Sequence, residues 1–82
     1  MNTIEIGINK VLSKWNPIGV PPSIAEIEYT SYIPGIIQAY KANKEVYTFM
    51  VHLCTEVIGY EFNNELEIAT KQASEEIEKI LG

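Results

Sequence analysis

Eighty-two residues, 46% of them hydrophobic, make one domain (1–82) with material for a core, near the lower size limit for folding without disulfides or metals. The single cysteine, Cys54, excludes an intramolecular disulfide, and no apolar run approaches the roughly 20 residues of a membrane span. The 11 acidic residues are all glutamate and the 6 basic ones all lysine, so a chain at net −5 without arginine is a poor reader of nucleic acid.

The first predicted helix opens at Asn2, with Glu5 three residues on as in a capping box. Ile4, Ile8, Val11, Leu12 and Trp15 recur at helical spacing, and Gly7 falls off that stripe. The proline at 17 pushes its predecessor out of the α region, so the helix is expected to end near Trp15, with the indole turned inward. Asn16, Pro17 and Gly19 then fit positions i, i+1 and i+3 of a type I turn. Val20-Pro21-Pro22 must run extended, and Ser23 with Glu26 reads as a second capping box.

A second helical segment carries Ile24, Ile27, Tyr29, Ile33, Ile36, Ile37 and Tyr40. Pro34 interrupts it, leaving two solutions: a kink near Thr30, or a short first piece and a restart near Ser31. The restart is preferred, because Pro34 then falls in a first turn where its missing N–H does no harm. The third helix is expected from Asn43 as cap to Gly59 as stop, with Val46, Phe49, Met50, Leu53, Cys54 and Val57 on its stripe. Tyr47, Val51 and Ile58 widen that face, as in a central helix with more than one neighbour. The fourth opens at Asn64 with Glu67 and turns Leu66, Ala69, Ala73, Ile77, Ile80 and Leu81 to one side. No stretch alternates with period two, so the fold class is all-α: a compact bundle of about four helices with a proline-rich corner after the first.

Chemistry is hard to build from these residues. His52 and Cys54 stand two apart on a helix and diverge, so they make neither a metal pair nor a nucleophile with its base. His52 lies off the stripe and reads as exposed; Cys54 lies on it and reads as a small buried hydrophobe. No phosphate-binding loop or dinucleotide fingerprint is present. The chain reads as no enzyme, with no metal and no cofactor. One constellation has functional content: Trp15, Asn16, Pro17, Gly19, Glu28, Tyr29 and Tyr32. It is either a rigid corner, with the tryptophan as plug and the tyrosines as tethers, or one wall of a binding groove.

These stretches also resemble a known group. WNPIGV (15–20), EYTSYIPGI (28–36) and LCTEVIGY (53–60) are similar to motifs of small all-α proteins of unknown function from bacilli and other bacteria. Those motifs read W-[DN]-P-I-G-V, then E-Y-x-x-Y-[IVA]-P, then a helix ending in glycine at an [IM]-G-[LY] turn. This chain has Asn16 where aspartate is common and Ile27 where a second acid often precedes the E-Y pair, which weakens any cation-binding role there. The resemblance implies a helical fold and carries over no catalytic residue.

Two functions follow as expectations. The first is a cytoplasmic interaction module, a regulator or immunity-type partner, monomeric or weakly dimeric, that meets a basic protein through an acidic surface. Its glutamates at 61, 65, 67, 75, 76 and 78 are only partly offset by Lys71 and Lys79. The second is a small-ligand binder with a pocket beside Trp15, Tyr29 and Tyr32. An exposed apolar patch on the second or fourth helix speaks for the first, and a closed apolar cavity rimmed by the two tyrosines for the second.

Overall fold

Asn2 starts the chain's first helix as its spacing from Glu5 predicts. In the computed structural model, which describes residues 2–16, 19–57, 59 and 63–82, the Glu5 N–H donates to Asn2 Oδ1 at 2.9 Å. Helix α1 (Thr3–Trp15) follows and ends at Asn16, whose φ of 39° is left-handed. Then come α2 (Pro22–Glu28), a 3-10 turn (Thr30–Tyr32), α3 (Ile33–Lys41), α4 (Val46–His52), a π-helical turn (Leu53–Val57) and α5 (Asn64–Leu81). Among the described residues there is no strand, and the expected all-α bundle is what forms.

The second segment takes the restart solution. A turn at Tyr29 and the 3-10 turn separate α2 from α3, and Pro34 sits in the first turn of α3. Four helical units therefore remain: α1, α2 with α3, α4 with its π turn, and α5. Cross-contacts set their directions. The Trp15 indole meets Thr70 at one end of the α1–α5 interface, and Gly7 meets Ile80 at the other, so these helices are antiparallel. Thr30 lies beside Asn9, and Ile33 shares a cleft with Glu5, so α2 and α3 run back along α1. Gly35 packs on the Phe49 ring between α3 and α4, while Tyr47 lies near Ser74 and Glu78 between α4 and α5. The result is an up-down-up-down ring around Ile8, Leu12, Tyr29, Ile33, Ile36, Val46, Met50, Cys54 and Ile77, all essentially without exposure.

Two glycines matter to that ring. A Cβ on Gly7 would stand 3.3 Å from Ile80 Cδ1, and one on Gly35 only 2.7 Å from Phe49 Cζ. Gly7 is thus not an idle defect beside the stripe: it allows α1 and α5 to approach closely.

Several expected caps sit elsewhere. Asn43 does not open α4; its φ is 61°, and it closes α3. The Asn43 N–H donates to Tyr40 O and the Lys44 N–H to Ala39 O, the paired bonds of a Schellman motif with asparagine in glycine's usual place. Glu45 precedes α4 without a side-chain cap. Ser31 is no cap either, because Tyr32 before α3 has helical backbone; the Ser31 hydroxyl turns to Glu28 O instead. Pro22 starts α2 one residue ahead of Ser23, and proline at a first position needs no donor. The Glu26 side chain, Pro17, the Val57 side chain, Ile58 and Glu61, all part of the sequence expectations, lie outside the described residues. Helix α5 is capped by Asn63 and not Asn64: Asn63 is the extended residue of the pair, and its Oδ1 accepts from Leu66 N at 2.8 Å.

The apolar faces show two further departures. Helix α4 packs on α3 and α5 but is not central; α5 touches α1, α3 and α4. Tyr47 and Val51 widen the α4 face only as half-buried side chains. On α2, Ile24 and Ile27 do not join the core and stay 48% and 77% exposed. Ala25 and Tyr29, four apart, take the inward positions, because Tyr29 is tied to the corner described next. Ile4, in the first turn of α1, is also exposed.

Candidate functional site

The corner begins with Asn16. Its left-handed backbone ends α1, with the Asn16 N–H on Leu12 O at 2.9 Å, and the Gly19 N–H returns to Asn16 O at 3.1 Å, closing the turn. Asparagine tolerates this conformation better than other side chains that carry a Cβ. Its amide is then used from both sides. Oδ1 accepts from the Val20 N–H at 3.1 Å and from the Tyr29 hydroxyl at 2.7 Å, while Nδ2 donates to Val20 O at 2.8 Å. One side chain thereby fixes the segment that leads into Pro21 and clamps the end of α2 to the end of α1.

Trp15 and the tyrosines build on that clamp. Trp15 is buried, its Nε1–H donating to Thr70 Oγ1 at 2.9 Å, deep in the interface with α5. The Tyr29 ring, wholly buried, lies 6.1 Å from the indole and 6.2 Å from the Tyr32 ring, in the tilted arrangements aromatic pairs prefer. The fold therefore brings together Trp15, Asn16, Tyr29 and the half-buried Tyr32. Gly19 (φ 65°) serves through its backbone, Glu28 is exposed on α2, and Pro17 lies outside the described residues. A hollow of about 100 Å³ against Trp15 is lined by Val11, Lys14, Ala69, Gln72, Ala73 and Glu76, not by the tyrosines. Pockets for small molecules are several times larger.

Sequence reasoning missed Thr70 and Val20. Thr70 had a signal: it stands on the Leu66-Ala73-Ile77 face as a polar residue among apolar ones, and a buried hydroxyl needs a partner. Val20 had none, since it contributes only backbone.

Thr70 also hydrogen-bonds the side chain of Cys54, so one hydroxyl joins α1, α5 and the π turn. Burial pushes the Cys54 thiol up and the Thr70 bond offsets part of that rise, leaving it at about 11. The thiolate is the reactive form, so a thiol reagent at pH 8 is expected to label the native protein far more slowly than the urea-unfolded chain. Equal rates in the two states would show an accessible Cys54. His52 is exposed on α4, and among the described residues no group of three or more histidine, cysteine or acidic side chains is placed to hold a metal.

A second feature lies on the other side of the bundle. Glu67, Lys71, Glu75 and Glu78 recur along one face of α5, and Glu45 and Tyr47 rise opposite them at the start of α4. Together with Ser74 they line a cleft of about 360 Å³. Four carboxylates there face one ammonium, Lys71. Lys14 and Glu76 form an ion pair at 3.8 Å on the far flank of α5, too exposed to hold much together.

Compared with family models, curated proteins and solved structures, the chain finds no match in any of the three.

Proposed function

We propose that this protein works by contact and not by chemistry: a regulator or immunity-type module that takes a basic segment of a protein partner into the cleft between α4 and α5. The observation that supports this reading is the cleft's lining, with Glu45, Glu67, Glu75 and Glu78 around Tyr47 and Lys71 as the cation among them. Three carboxylates on α5 and a fourth before α4 gather like charge in one cleft, and an incoming lysine or arginine offsets it. The same field steers a basic partner at low ionic strength and is screened within about 8 Å at physiological salt. Tyr47 supplies an apolar ring with a polar tip, the kind of side chain that anchors protein contacts.

The test is a titration of ¹⁵N-labelled protein with a hydrophilic lysine/arginine peptide at low and high salt. Shifts are expected at residues 45, 47, 67, 71, 74, 75 and 78, fading with salt. The triple variant Glu67→Lys, Glu75→Lys, Glu78→Lys is expected to abolish them. Equal shifts around Glu5, Glu28 and Glu56, or binding that survives the charge reversal, would sink the proposal.

A further inference from the structure

The outward face of α2 is a different surface with a different composition. Ile24 and Ile27, three apart, lie on one side of a seven-residue helix and are 48% and 77% exposed. Isolated surface isoleucines are ordinary and need no explanation. These two are exposed for a reason internal to the fold. The inward positions of α2 belong to Ala25 and to Tyr29, whose hydroxyl is held by Asn16. The side of α1 that receives this segment is polar: Asn9 lies beside Thr30, Asn16 holds Tyr29, and the buried Ser13 Oγ between them has no hydrogen-bond partner among the described residues. The segment thus seats Ala25 and Tyr29 inward and leaves Ile24 and Ile27 outward beside Ser23 and Glu28.

Charge narrows the occupant. Between Lys14 and Lys41 the chain has no basic residue, and its only charged ones are Glu26 and Glu28. A second copy would set the exposed Glu28 against its own counterpart, with net −5 on each chain, so self-docking is opposed. An anionic membrane surface is repelled for the same reason. We infer that the α2 face is a docking surface for a basic amphipathic helix of a protein partner, with apolar side chains over Ile24 and Ile27 and lysine or arginine toward Glu28. The helix-on-helix contact is short, about 10 Å at 1.5 Å per residue, so the interaction is a weak, exchanging one. It uses residues distinct from the α4–α5 cleft and does not depend on it.

The remaining exposed isoleucines, Ile4, Ile6 and Ile68, provide an internal control. Full-length protein with ¹³C-labelled isoleucine methyls is titrated with a leucine/lysine amphipathic peptide of about five helical turns. A control peptide of equal charge carries glutamine for leucine. Ile24 and Ile27 methyls are expected to shift while Ile4, Ile6 and Ile68 stay in place, and the control peptide is expected to leave all five unmoved. The exposed double variant Ile24→Gln, Ile27→Gln is expected to keep the parent's Tm and to weaken binding about tenfold or more. Glu28→Lys is expected to weaken it at low salt, and the charge-reversed cleft variant to leave it unchanged. Equal shifts of all five methyls would mean mere stickiness, and loss of binding in the cleft variant would assign the peptide to the cleft. Shifts of Ile24 and Ile27 with protein concentration alone would make a second copy the occupant; shifts with zwitterionic vesicles would make it a bilayer. Each of these four results overturns the inference.

Discussion

Trp15→Ala is expected to destabilise the fold by about 3–5 kcal/mol, the range for removing a large aromatic from a core. The indole is only 7% exposed, packs on Tyr29 and donates its N–H to Thr70. Truncation leaves a cavity at the junction of α1, α2 and α5 and takes away the donor that the Thr70 hydroxyl accepts from. Small domains hold about 5–15 kcal/mol in total, and each kcal/mol moves Tm by roughly 4–8 °C at this size. The variant should therefore melt tens of degrees below the parent when followed by far-UV circular dichroism. Trp15→Phe separates the ring from the N–H: it keeps most of the apolar body and is expected to lose about half as much. A double-mutant cycle with Thr70→Val isolates the hydrogen bond itself. A Trp15→Ala protein that melts with the parent would show that the corner carries no part of the core.

Asn16→Ala is the second large effect, about 2–4 kcal/mol, and arises from two separable causes. Alanine at φ 39° is strained, and three side-chain hydrogen bonds disappear together. The more damaging loss is at Tyr29, whose hydroxyl is left without its Asn16 acceptor on a fully buried residue. Asn16→Gly removes the strain but not the loss of partners, so its deficit relative to the parent reads the side chain alone. Asn16→Asp keeps the acceptor for Tyr29 and Val20 and gives up only the donation to Val20 O, and should lie within about 1.5 kcal/mol of the parent. Urea titrations of the three variants order them Asp, Gly, Ala from most to least stable. Any other order would break the assignment of roles at this residue.

The long periodic helices were legible in the sequence because their hydrophobic spacing and their surroundings agree. Ile8, Leu12 and Trp15 on α1, Met50 on α4, Cys54 on the π turn after it, and Leu66, Ala73 and Ile77 on α5 are all buried where the pattern puts them. The restart before Pro34 was legible too, since proline chemistry allows few alternatives. The phase of α2 was not. Seven residues are too few for periodicity to dominate, and the tie between Tyr29 and Asn16 rotates Ile24 and Ile27 outward. The caps were misplaced where more than one polar residue competes, as with Asn63 and Asn64, or where asparagine serves a left-handed stop, as at Asn43. At the corner, the turn could be read from Asn16 and Gly19, but the double grip on Val20 could not, because backbone partners leave no trace in side-chain identity. The acidic cleft was half visible: the glutamates of the last helix stood out, while Glu45 joins them only through the packing of α4 on α5.

The pairing of α1 with α5 has a consequence for how the chain acquires its shape during synthesis. Helix α1 finds its broadest partner in α5, and the Trp15–Thr70 bond spans 55 positions along the chain. Contacts of that range close only after the intervening chain has been translated, and their loop entropy must be met before they contribute. While a ribosome has produced only α1 to α4, Ile8, Leu12 and Trp15 lack the surface that covers them. Nascent chains that stall before Asn63 therefore leave that part of the α1 face uncovered, the kind of apolar surface that chaperones capture.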